Sequence, residues 1–147
     1  MSDSSISRVF ATDPRIANPK PVEMHTNALL FVQDAEALGR RATAGQFFLF
    51  AHGIELALKG FLHEKGRTLE ELEGIGHKLG KLLDLCTTHG LVLSEGDTAS
   101  IVARFDKALL KAKLRYDFDF DMPFVEDARR VARGLLNNTM PALPSLA

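Results

Sequence analysis

The chain holds one cysteine, Cys86. One thiol can form neither an internal disulfide nor a cysteine-built zinc site, and it points to a reducing compartment. Net charge is nearly absent as well: 18 Lys and Arg stand against 19 Asp and Glu, a balance of −1. That balance removes any global electrostatic case for a nucleic-acid or membrane-surface binder. No apolar run approaches the roughly 18 residues that a membrane helix needs. The opening Met1-Ser-Asp-Ser-Ser-Ile-Ser-Arg lacks the apolar stretch of a signal peptide. The expected location is therefore the cytoplasm, with no membrane partner. No repeat of solenoid length is present, and no β-branched run alternates as a strand would.

What remains is globular. With 147 residues, 46% of them apolar and 25% charged, the chain fits one domain. A chain of this size buries about 68–70% of its unfolded surface, enough for a core without staples. Pro14, Pro19 and Pro21 among small and polar residues mark 1–20 as an irregular arm. The two prolines of Pro141-Ala-Leu-Pro-Ser-Leu-Ala mark 139–147 as a flexible tail.

Between them, residues 21–138 read as helices. Pro21 suits a first helical turn, and Met24, Ala28, Leu29, Phe31, Val32, Ala35 and Leu38 keep a helical period up to Gly39. Thr43 is an N-cap for a second helix that is apolar nearly all round until Gly66, which marks it as the central, buried one. Gly45, Gly53 and Gly60 within it permit close approach of a neighbouring helix. Residues 65–76 form a connecting segment with room for one helical turn. A third helix is expected from about His77 to Gly90. A fourth follows a loose capping box of Ser94 and Asp97, and a fifth carries Val125, Ala128, Val131, Ala132 and Leu135. The fold class is an all-α antiparallel bundle of four to five helices.

Several chemistries fail on spacing. Paired-metal bundles use Glu-x-x-His, and this chain offers only the reversed His52-Gly-Ile-Glu55. His25, His52, His63, His77 and His89 are scattered singly, so no metal and no other cofactor is expected. Asp117-Phe-Asp-Phe-Asp121 imitates the opening of a calcium loop, but Met122 and Ala128 fall where glycine and a bidentate carboxylate are required. Cys86 falls on an apolar face between Leu82 and Leu85 and reads as a small core hydrophobe. No glycine-rich phosphate loop follows a strand.

One polar set breaks the binary pattern. Glu55 and Lys59 lie four apart on the most apolar helix, within Ala-His-Gly-Ile-Glu-Leu-Ala-Leu-Lys-Gly. On an exposed helix the pair is worth only about 0.2–0.5 kcal/mol. On a buried one it costs desolvation unless other groups join it. Either the bundle is open there or the pair meets partners such as His77, Arg115 and Tyr116. An internal ion-pair network and a binding site weigh equally.

These residues also carry a resemblance. The helix Phe50-Ala-His-Gly-Ile-Glu-Leu-Ala-Leu-Lys-Gly-Phe-Leu, a polar spacer and Gly76-His-Lys-Leu-Gly-Lys-Leu-Leu resemble the HEPN domains (higher eukaryotes and prokaryotes nucleotide-binding). There a Glu-x-x-Leu-Lys helix precedes a Gly-His-Asp-Leu helix start; here Lys78 stands at the aspartate. Arg115-Tyr116 and Val125-Glu-Asp-Ala128 through Leu135 match in order. The resemblance spans about 22 to 138. It implies a usually dimeric bundle, with relatives that are metal-independent ribonuclease toxins, partners of nucleotidyltransferases or non-catalytic binding modules. The ribonuclease members place His four to six residues after Arg. Here Arg115 is followed by Tyr-Asp-Phe-Asp-Phe-Asp, and no histidine lies beyond His89.

The reading is a homodimeric binding module without evident catalysis. Its patch is Glu55, Lys59, His77, Arg115 and Tyr116, with Arg115 suited to phosphate and Tyr116 to stacking on a base. Its ligand is a nucleotide, an RNA phosphate or a protein such as a nucleotidyltransferase or antitoxin. The alternative is a ribonuclease that uses His77 with Glu55 as acid and base. Local charge leaves room for a small phosphate site: Arg104, Lys107, Lys111, Lys113 and Arg115 oppose only Asp106, beside an acidic stretch from Asp117 to Asp127, most of it solvated face.

Overall fold

The computed structural model describes residues 19–40, 43–115 (side chains through 111) and 123–140. These form six helices: α1 Pro21–Ala37, α2 Ala44–Glu64, α3 Leu69–Ile75, α4 Leu79–Thr88, α5 Thr98–Arg115 and α6 Val125–Thr139. No strand occurs among the described residues. The all-α expectation holds, with one helix more than expected: α3 makes two turns of the 65–76 connection, started by Thr68, whose hydroxyl accepts from the Glu71 amide at 3.1 Å. The 1–20 arm, the 139–147 tail and the Asp117–Asp121 segment lie largely or wholly outside the described residues.

Local chemistry sets most of the boundaries. Pro21 occupies the first turn of α1, where its missing N–H has no helical partner to lose. Thr43 accepts from the Gln46 amide at 3.1 Å and opens α2. Past the end of α2, Gly66 takes φ +101°, a left-handed turn that ends the helix. Ser94 and Asp97 do not form the expected capping box. The Ser94 amide and hydroxyl both donate to Asn138 Oδ1 at 3.1 Å, and the Asp97 carboxylate turns to Arg130 at 2.7 Å. The charged partner outcompetes the local cap.

α2 is the central helix and packs against α1, α3, α4 and α6. Phe50, Ile54, Leu58 and Leu62 on it are fully buried, each contributing roughly 2 kcal/mol of transfer free energy. Phe47 adds a stacked contact to Phe105 of α5, centroids 5.0 Å apart. α1 runs antiparallel to α2: Gly53 lies against Val32 and Ala28, and Gly60 against Met24 and Pro21. A Cβ at Gly53 would sit 2.7 Å from Val32 Cγ2, so this glycine is what lets the helices close. Gly45 meets only its own cap, Thr43, and plays no such part. Buried Gln46 donates to the carbonyl of Ala35 at 3.0 Å and to that of Gly39, tying off the end of α1.

Charge pins α6 to its neighbours. Glu36 of α1 accepts from Arg129 (3.0 Å) and from both Nε (2.9 Å) and Nη2 of Arg133. Arg130 gathers Glu95, Asp97 and Asp127. No described helix is long and apolar enough to cross a membrane.

Candidate functional site

The polar set on α2 resolves into a defined contact. Glu55 is 6% exposed, and its two oxygens are both engaged. Oε2 accepts from Lys59 Nζ at 2.9 Å, and Oε1 lies 2.7 Å from His77 Nδ1. Three of the five residues expected to meet therefore do. Arg115 closes α5, but its side chain and the whole of Tyr116 lie outside the described residues.

Two local features bring His77 to Glu55. Gly76 takes φ +71°, which turns the chain sharply at the end of α3, and α4 then begins at Leu79 rather than at His77. His77 is thus a loop residue with its side chain 80% exposed. A carboxylate accepts from Nδ1–H, so in the neutral ring the lone pair is on Nε2.

The start of α4 has an unusual cap. Lys78 precedes the helix and supplies no side-chain hydrogen bond. The Leu79 and Gly80 amides instead donate to Asp106 of α5, to Oδ1 at 2.9 Å and Oδ2 at 2.8 Å. A carboxylate at a helix N-terminus satisfies free donors and complements the helix dipole. Asp106 is the one acid among the basic residues of 104–115, and that isolation was the signal for its role.

Around these contacts α2, α4, α5 and the 76–78 turn enclose a groove of about 840 Å³. Phe48, Ala51, Ile75, Leu109 and Leu110 form its apolar wall. His52, His77, Lys78 and Lys81 line it together with the engaged carboxylates of Glu55 and Asp106. Among the described residues, Lys78 and Lys81 make no ion pair. No sequence pattern assigns His52, Lys81, Asp106 or the apolar wall to the site. Only folding brings α5 against the α3–α4 turn.

The other titratable candidates have structural duties. His25 Nε2 lies 2.7 Å from the Leu136 carbonyl, His63 Nδ1 lies 2.9 Å from the Arg67 carbonyl, and His89 Nε2 accepts from Arg67 Nε at 3.2 Å. Cys86 is fully buried, donates to the Leu58 carbonyl at 3.4 Å, and burial pushes its thiol up to about 12. It is no nucleophile at neutral pH. Among the described residues no cluster of His, Cys, Asp and Glu could hold a metal ion.

The fold and the groove together define an all-α bundle with an open, amphipathic cleft beside its central helix. No family model matches the chain, and neither a curated protein nor a solved structure is significantly similar to it.

Proposed function

We propose that the groove binds a small phosphorylated ligand of nucleotide type. The carrying observation is the division of charge in the cleft. Both carboxylates are satisfied from within the protein, Glu55 by Lys59 and His77 and Asp106 by two amides. Lys78, Lys81 and the exposed edge of His77 are left to face the cavity. Ammonium groups suit phosphate oxygens, and the wall of Phe48, Leu109 and Leu110 suits a base or another flat apolar group. The volume lies within the range of small-ligand sites, about 300–1,000 Å³. The motifs that resemble the HEPN domains agree with this reading, and Arg115 at the end of α5 is a further candidate for the phosphate.

Calorimetric titration with a panel of mononucleotides and short RNA tests it. Binding is expected for the wild type and is lost on replacing Lys78 and Lys81 together by alanine. A flat titration across the panel rules the reading out.

A second reading, homodimerisation, is favoured by Phe48 and Leu110, which are 41% and 58% exposed at the edge of the groove. Sedimentation equilibrium decides it. A monomer at high concentration excludes the dimer.

A further inference from the structure

His77 differs from every other described histidine. Its Nδ1 is held by a buried carboxylate at 2.7 Å, Lys59 pairs with the other oxygen of that carboxylate, and the His77 side chain, 80% exposed, lines the groove. An imidazole oriented on one nitrogen and open on the other has the geometry of an activated nucleophile. His52 shares the cavity but only packs edge-on against the Phe31 ring, with centroids 4.4 Å apart.

We propose that His77 is a phosphoryl-accepting residue, modified on Nε2 by phosphoramidate donors, the class that includes the phosphohistidine of another protein. The inference rests on the phosphate-binding reading of this groove. In the step, the Nε2 lone pair attacks phosphorus as the P–N bond of the donor breaks. The electron pair leaves on the donor nitrogen and the leaving group departs neutral, as ammonia from the zwitterion of phosphoramidate or as imidazole from a phosphohistidine ring protonated on its other nitrogen. The ring gains positive charge and keeps the proton on Nδ1, which donates to the Glu55 carboxylate that stabilises that charge. Lys78 and Lys81 face the phosphoryl oxygens. An acyl group would draw no comparable benefit from those ammonium groups, so the lysines favour phosphoryl over acyl transfer.

The full-length protein is incubated with phosphoramidate, and its histidines are followed by phosphorus NMR and intact mass. One acid-labile phosphoryl group is expected, on Nε2 of His77, ahead of the other four histidines of the chain. His77→Asn abolishes it. Glu55→Gln slows it by about tenfold, because the ring loses its orienting charge. His89→Gln, outside the groove and paired with Arg67, leaves the rate unchanged. Modification on Nδ1, at His52 first or spread evenly over the histidines overturns the proposal, as does an undiminished rate in Glu55→Gln. Nucleotide titration of the same sample separates the two readings. Binding without His77 modification sinks only this inference, whereas His77 modification without nucleotide binding supports it and sinks the nucleotide reading.

Discussion

Asp106 of α5 accepts the Gly80 amide of α4 at 2.8 Å, so the start of one helix is capped by the middle of another. The same carboxylate takes the Leu79 amide, and no side chain of α4's own flank competes for either. Asp106→Ala frees two amides at a helix N-terminus and destabilises the protein by about 1–2 kcal/mol. Urea denaturation measures the loss. Because the cap also sets the Lys78 and Lys81 side of the groove, nucleotide affinity is expected to fall with it. An Asp106→Ala protein of full stability contradicts the capping role.

How much was legible follows from where each cause resides. Pro21, Thr43 and Gly66 act on their own turn, so α1 and α2 begin and end where the sequence places them. The central position of α2 follows from an apolar pattern that runs nearly all round the helix. α4 starts two residues later than the sequence pattern suggests because its cap lies 27 residues away on Asp106. Ser94 and Asp97 depart from the capping-box pattern for the same reason: Asn138 and Arg130, distant in sequence, claim them. In the site, Glu55, Lys59 and His77 were legible because a charged pair on a buried helix needs partners. Lys81 and Leu110 were not, since each reads as ordinary surface until α4 and α5 converge.

Two glycines should respond oppositely to alanine. At Gly53 the new Cβ would meet Val32 Cγ2 at 2.7 Å and the Ala28 carbonyl at 3.2 Å, both in the buried seam of α1 and α2. Helix propensity offers up to about 1 kcal/mol in return, less than the cost of overpacking a seam that cannot yield. Gly53→Ala is therefore expected to lose about 1–2 kcal/mol. Gly74 in α3 has nothing within 4 Å of its ideal Cβ. Gly74→Ala is expected to gain about 0.5 kcal/mol. Thermal denaturation of both variants, read side by side, checks the signs.

Acid should weaken the α1–α6 junction. The hydrogen bond from Arg133 holds the Glu36 carboxyl below its ordinary value of 4.5, with help from the charges of Arg133 and Arg129 and against partial burial. A carboxyl with a lowered folded value contributes stability that is complete above its unfolded value. It is lost as pH falls through 4.5 and then through the lower folded value. Asp97, lowered by its hydrogen bond from Arg130, acts in the same direction. Urea midpoints measured from neutral pH down to about pH 3 should show Glu36→Gln less stable than wild type at neutrality. The two should converge in acid. A constant gap across that range means that Glu36 does not titrate with folding.

Glu55 and Lys59 test whether the polar set is only a structural network. Their side chains are 8% and 13% exposed, so removing one partner strands the other in a poorly solvated place. Lys59→Met, and separately Glu55→Leu, should each cost about 3 kcal/mol. The double variant replaces both charges by apolar volume and should recover most of that loss, since the desolvation of the pair offsets much of its attraction. Stability will then be nearly restored while His77 has lost the carboxylate on Nδ1. If nucleotide binding and His77 phosphorylation survive in that double variant, the network served only folding. Their loss in a stable protein shows that the buried pair is there for the groove.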